Sequence, residues 1–148
     1  EAVRDKDGIS AAVLCCDLLA TAKTAGEDIP GILDDLARRH GVHLPVSFSA
    51  PTDDATEVTM RIRRTPPTTL AGFAVTAAEH PDVLVLSGGD DRARVRMAIR
   101  PSGTEPKIKV YTEIRLAATG DLAAARRRAE ELCDAVRRDG VALLQRHR

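Results

Sequence analysis

The residues best equipped to do chemistry lie together in Arg100-Pro101-Ser102-Gly103-Thr104-Glu105-Pro106. Arg100 brings a planar fork of donors that matches phosphate oxygens. Ser102 and Thr104 add hydroxyls. Gly103 lets the backbone approach a ligand and turn, so that successive N–H groups can form an anion-binding nest. Pro101 and Pro106 stiffen both ends, which lowers the entropy lost on ordering the loop. No general base, carboxylate pair or metal-ligand cluster accompanies it, so the chemistry on offer is binding rather than bond breaking. It is not a nucleotide-binding P-loop, because no Gly-Lys-Ser/Thr follows a spaced glycine. A polar connection between two strands would have the same composition, and composition alone leaves both readings open. Lys107 follows the loop and is either an added positive charge or a solvated strand residue.

The loop joins the two clearest strands in the chain. Val95, Met97 and Ile99 alternate with Arg94, Arg96 and Ala98, and Ile108, Val110, Thr112, Ile114 and Leu116 alternate with Lys107, Lys109, Tyr111, Glu113 and Arg115. One face of each is apolar and the other polar, as in an antiparallel sheet covered on one side. Tyr111 falls on the polar face, where it either lines a cleft or covers the sheet. Gly88-Gly89-Asp90-Asp91 predicts a hairpin turn before these strands, with shorter strands at Gly72–Ala77 and Val83–Ser87. A further strand, Val42–Ala50, alternates through Leu44, Val46 and Phe48, and Pro45 makes it an edge strand. Asp54 and Glu57 resemble a capping box for a helix through Ala55, Val58 and Ile62 that Pro66-Pro67 ends. The chain closes with a helix from about Asp121, whose stripe of Leu122, Ala125, Ala129, Leu132 and Val136 faces the sheet.

Two helices precede all this. Residues 9–24 are apolar at Ile9, Ala12, Val13, Cys16, Leu19 and Ala20, and Leu14 and Leu18 widen the stripe almost to a full circle. Such a helix is expected to be buried on several sides. Asp7-Gly8 is its predicted start and Gly26 its stop. Ile29–His40 follows, with Asp28 as cap, Pro30 in the first turn, Gly41 as terminator and a stripe of Ile32, Leu33 and Leu36. The whole is read as an α+β architecture in two parts. Residues 1–41 are a helical pair, and residues 42–148 are a β-α-β-β-β-α unit with helices on one face of an antiparallel sheet.

Composition narrows the function. The 148 residues carry 22 Lys plus Arg and 22 Asp plus Glu, a net charge of zero. A nucleic-acid binder needs a basic footprint and a peripheral membrane protein a polybasic one, so neither partner is expected. The longest apolar run, Ile9–Cys16, has eight residues and includes Ser10, far short of the ~20 of a membrane span. Arg126-Arg127-Arg128 and Arg137-Arg138 are read as a solvated helix face, since Glu130 and Glu131 lie four residues after Arg126 and Arg127. One Tyr and two Phe leave few platforms for base stacking. Cys15, Cys16 and Cys133 form no disulfide framework and are read as buried thiols in a reducing, cytoplasmic compartment. His40, His43, His80 and His147 supply no metal-ligand spacing. There is no initiator Met, and Arg4-Asp5-Lys6-Asp7-Gly8 runs straight into a helix, so the sequence is expected to be a piece of a longer chain. No signal peptide is visible, although a trimmed one would leave no trace.

Residues 100–113, Arg-Pro-Ser-Gly-Thr-Glu-Pro-Lys-Ile-Lys-Val-Tyr-Thr-Glu, closely resemble the C-terminal signature of the α-D-phosphohexomutases, in particular the bacterial phosphoglucomutase/phosphomannomutase branch. Arg4-Asp5-Lys6-Asp7-Gly8-Ile9-Ser10 is similar to the segment that opens a late helix of that family's third domain. Pro66-Pro67-Thr68 leading to Leu70-Ala71-Gly72 fits the same register. The resemblance implies a TBP-like C-terminal domain over residues 42–148, preceded at 1–41 by the helical tail of the third domain. It implies that Arg100, Ser102, Gly103, Thr104 and Lys107 hold the substrate's non-transferring phosphate. The phosphoserine, the Mg²⁺ ligands and the sugar-reading Glu loop would lie in parts of the enzyme absent from this sequence. The chain is therefore expected to have no catalytic residue and no metal of its own, and to be inactive by itself. Implied partners are a hexose phosphate and the enzyme's other domains. The orphaned apolar helices are expected to fold onto residues 42–148 or to pair with a second copy, as a homodimer or swapped pair. A pentose- or aminosugar-phosphate mutase is the alternative within the enzyme class. A free-standing RNA-binding module is the alternative outside it.

Overall fold

The computed structural model describes residues 7–117 and 120–147, so Arg4, Asp5 and Lys6 of the upstream motif lie outside the described residues. Alternation in the two best strands organises the molecule. β5 (Ala93–Pro101) buries Ala93, Val95, Met97 and Ile99, and β6 (Lys107–Leu116) buries Ile108, Val110, Thr112, Ile114 and Leu116. They pair antiparallel with Met97 opposite Thr112 and Arg100 opposite Lys109. β1 (Val42–Pro51) lies along the free edge of β6, and β4 (Leu84–Gly89), β3 (Phe73–Glu79) and β2 (Thr69–Leu70) extend the sheet beyond β5. The order β1-β6-β5-β4-β3-β2 is antiparallel throughout, with Pro45 on an edge strand as expected. A proline there costs no ladder hydrogen bond on the solvent side.

α3 (Ala55–Arg64) and α4 (Leu122–Arg146) both pack on the apolar face. α3 contributes Val58 and Ile62, and α4 contributes Ala125, Ala129, Leu132, Val136, Leu143 and Leu144. They cover Leu84, Leu86, Met97, Ile99, Ile108 and Ile114, all fully buried. Each such side chain is worth about 1.5–3 kcal/mol relative to exposure. Gly140 lets α4 come close, since a Cβ there would sit 2.7 Å from Met97 Cε and 3.0 Å from Phe48 Cζ. Asp54 and Asp121 cap the two helices by accepting from Glu57 N and Ala124 N, at 2.9 Å each, a stabilisation of about 1 kcal/mol per cap. The architecture is α+β, with helices on one face of an antiparallel sheet.

One strand detail differs from expectation. The strands expected at 72–77 and 83–87 form as β3 and β4, and Thr69–Leu70 adds a two-residue strand before them, so five strands lie between α3 and α4, more than the expected β-α-β-β-β-α unit allows. That short strand turns back through Ala71 and Gly72, both at positive φ (48° and 83°), the geometry a tight hairpin requires. Asp139 on α4 secures the turn by accepting from Ala71 N at 2.7 Å.

The helical pair differs more. α1 (Gly8–Thr24) and α2 (Ile29–His40) form where expected, capped by Asp7 and Asp28. Two backbone N–H groups of α1 hold the Asp7 carboxyl below its ordinary value, that of Ile9 most strongly. α1 is not buried, however. Ile9, Val13 and Leu14 are 79%, 63% and 69% exposed, and only Ala22 is buried. The physical reason is that α3 and α4 already fill the sheet's apolar face. Leu33 and Leu36 of α2 are exposed for the same reason, and Ala37 is the α2 residue that reaches the core. Cys15 and Cys16 share the exposure of α1, so of the three thiols only Cys133 is buried. Burial pushes the Cys133 thiol above its ordinary pKa. α2 meets the body through an ion pair of Asp34 with Arg126, Oδ1 to Nη2 at 2.5 Å. The intrahelical pairs expected for Arg126 and Arg127 are replaced by this contact and by Arg128 with Glu131 at 3.0 Å. Among the described residues no single helix is long and apolar enough to cross a membrane.

Candidate functional site

The sheet's uncovered face carries every polar residue that the alternation sends outward. Read along the strands, its cross-strand rows place Ser49 beside Lys109 beside Arg100, then Ser47 beside Tyr111 beside Ala98. Pro51, Lys107 and the start of the loop make the end row. The loop that drew attention in the sequence therefore closes the β5–β6 hairpin at one end of this face. Ser102 N donates to Lys107 O at 2.9 Å and Lys107 N to Glu105 O at 2.7 Å, which folds residues 102–106 into a compact turn. Thr52 N donates to Pro106 O at 3.0 Å and ties the turn to the end of β1.

The five expected site residues occupy different surroundings. Arg100 is exposed at the end of β5, with its guanidinium carbon 5.8 Å from the centroid of the Tyr111 ring. Tyr111 sits diagonally across β6, and the small Ala98 opposite it leaves the space the arginine uses. A ring beneath a guanidinium holds it by cation–π attraction while leaving its N–H fork free. Gly103 and Thr104 are exposed, and a Cβ on Gly103 would meet nothing within 4 Å, so its backbone is open to an approaching group. Ser102 is different, since its Oγ is buried and has no hydrogen-bond partner. An unpartnered buried hydroxyl costs about 1–3 kcal/mol. Lys107 is engaged, with Nζ 2.9 Å from Oε1 and 2.8 Å from Oε2 of Glu105. That bond is the main reason the Glu105 carboxyl lies below its ordinary value, with the charge of Lys109 a minor contribution.

Lys109 was not singled out from sequence. It stands directly opposite Arg100 on the same face. The signal was present, since a hairpin closed between Ser102 and Lys107 fixes Arg100 across from Lys109 by counting two residues each way. Two cations facing each other repel, and an anion between them relieves both. Of the histidines, His43 has a partner the sequence did not reveal, with Nδ1 3.4 Å from Glu113 Oε1. Among the described residues no group of three or more His, Cys, Asp or Glu is arranged to hold a metal ion.

The closed hairpin thus carries a ring-supported arginine, a facing lysine, an open glycine and two hydroxyls at one end of the open face of an α+β domain. Comparison with known proteins makes the assignment specific. The chain belongs to the phosphoglucomutase/phosphomannomutase C-terminal domain family, whose pattern matches residues 60–137, from within α3 to within α4. The match contains the whole of the loop and both strands that flank it. The chain is also 34% identical over 126 residues to a probable phosphomannomutase of Haemophilus influenzae, an alignment covering 76% of this chain and 25% of that protein. The chain thus corresponds to about a quarter of the length of this relative.

Proposed function

We propose that this chain is the substrate-phosphate clamp of a sugar-phosphate mutase that interconverts hexose 1-phosphate and hexose 6-phosphate through a bisphosphate intermediate. The observation that carries the reading is the end of the β5–β6 hairpin, where Arg100, Ser102, Gly103 and Thr104 converge inside the family match. Arg100 supplies charge-assisted hydrogen bonds, roughly twice as strong as neutral ones, from a position already fixed over Tyr111. The Gly103 backbone and the Thr104 hydroxyl complete the grip. Rotation about χ1 gives Ser102 Oγ the partner it lacks. Lys107 acts through the hairpin and Glu105, and Lys109 adds charge from its place opposite Arg100.

Such a clamp holds a phosphate without reacting with it. A mutase must present both ends of its substrate to one reacting centre, so a chemically silent grip that accepts either phosphate suits the task. Closure onto a gripped phosphate would exclude water from the phosphoryl-transfer step. Residues 42–148 form the clamp domain in this reading. Residues 1–41 belong to the tail of the preceding domain, whose sheet takes the apolar faces of α1 and α2. In the isolated chain those faces would pair with a second copy. The Mg²⁺ that the family resemblance implies would be held by parts of the parent enzyme other than this chain. A cytoplasmic location fits the three free thiols. A binder of RNA is disfavoured because Tyr111, the aromatic of the open face, lies under Arg100.

The test is kinetic and uses the parent enzyme with Arg100→Ala. Losing charge-assisted bonds of about 1.5–3 kcal/mol should lower kcat/KM by roughly 10- to 150-fold. A variant as active as the wild type would remove Arg100 from the clamp.

A further inference from the structure

The open face of the sheet holds cations in two places, and the loop explains one of them. At the other end of the strands Arg94 on β5 lies directly opposite Arg115 on β6, and Arg115 lies directly opposite His43 on β1. On the far side of Arg94 the β4 residue is Gly89, which carries no side chain. Like charges placed opposite each other in an antiparallel pair are destabilising. Among the described residues neither guanidinium has an ion-pair partner.

The acids nearby do not neutralise this pair. Asp90 turns back into its own hairpin, where Oδ1 accepts from Arg92 N and Ala93 N at 2.8 Å each. Glu113 faces Arg96 in the next row and stands 3.4 Å from His43. Asp91 remains, exposed at the turn. Beside the two arginines is an open cavity of about 500 Å³, with the Ser87 and Thr76 side chains along its β4–β3 side. The cavity thus brings the donor forks of Arg94 and Arg115 together with these hydroxyls, and Arg96, Asp90, Asp91 and Glu113 also line it.

We infer that this cavity is a second oxyanion site, which takes a phosphate-sized anion between Arg94 and Arg115 with Ser87 as an added donor. Arg94 and Arg100 are six residues apart on one strand, ~20 Å, longer than a single phosphorylated hexose. The ligand is therefore a separate molecule from the one gripped by the loop. Two facing guanidinium groups suit a tetrahedral dianion, because each can give two parallel N–H bonds to different oxygens.

The experiment is a two-dimensional amide NMR titration of the 148-residue chain with inorganic phosphate, repeated in Arg94→Glu and in Arg100→Ala. The expected result is saturable shifts at Ser87, Gly88, Gly89 and Arg94 that persist in Arg100→Ala. In Arg94→Glu they should be lost or weakened by roughly tenfold or more. That variant replaces a repelling pair with an attracting one, so a loss there is not unfolding, and the amide spectrum reports the fold directly. Shifts that stay linear and never saturate would mean an adventitious ion only and would overturn the proposal. So would shifts that survive in Arg94→Glu, or their absence from this end of the sheet. Loss of the loop shifts alone, in Arg100→Ala, concerns the clamp and leaves this site standing.

Discussion

Replacing Ser102 with alanine should stabilise the free protein and weaken its grip on phosphate. Ser102 Oγ is buried without a hydrogen-bond partner. Leaving such a group unmade costs about 1–3 kcal/mol. The residue as a whole is half-buried and sits in a loop that can adjust, so the lower end, about 1 kcal/mol, is the expected gain for Ser102→Ala. For a chain of this size that raises Tm by roughly 2–4 °C. In the phosphate-bound state the same hydroxyl donates to an anion, a bond of about 1.5–3 kcal/mol, so the variant should bind phosphate roughly 10- to 150-fold more weakly. The assay is thermal unfolding of both proteins across a phosphate series. Without phosphate the variant melts higher, and as phosphate rises the wild type gains more and the difference closes or reverses. A variant that melts lower without phosphate, or that gains as much from phosphate as the wild type does, would refute the argument that this hydroxyl is held for a ligand.

Other outcomes follow from the same geometry. Gly88→Ala places a Cβ 2.1 Å from the Ala74 carbonyl oxygen across the β3–β4 ladder, a backbone clash that should cost more than about 2 kcal/mol in urea unfolding; an unchanged midpoint would contradict the register. Lys107 lowers the Glu105 pKa, so the folded-state contribution is present above the ordinary value of 4.5 and is lost as pH falls below it through the depressed value. Carbon-detected titration should place the Glu105 midpoint below 4.5 and return it toward that value in Lys107→Ala, whereas the same midpoint in both proteins would break the link. Sedimentation velocity of the isolated chain should show concentration-dependent association through α1, abolished by Leu14→Asp with Leu18→Asp, and a monomer at all concentrations would end that reading.

Much of this could be read from local patterns because the forces concerned are local. The alternation of Val95, Met97 and Ile99 fixes both strand and face, and each aspartate cap lies two or three residues from the N–H it satisfies. The loop was legible because its residue types sit side by side. What escaped depends on long-range placement. Periodicity states that α1 needs covering but not by what, so the sequence left open whether it folds onto residues 42–148 or stays uncovered. The partner of Arg126 is Asp34, 92 residues away, while nearby glutamates offered a plausible local alternative. Thr69–Leu70 is too short to show a period. The stacking of Arg100 on Tyr111 and the facing Lys109 follow from strand register, which the sequence contains only once the hairpin closure is known.

The central claim is that the 100–104 segment grips a sugar phosphate through its phosphate. The most direct measurement is an amide NMR titration of the 148-residue chain with glucose 1-phosphate, glucose 6-phosphate and inorganic phosphate, with Arg100→Ala as the control. All three ligands should produce the same saturable shifts at Ser102, Gly103 and Thr104, lost in the variant. A folded sample whose loop amides respond to none of the three, or respond equally in Arg100→Ala, would contradict the account.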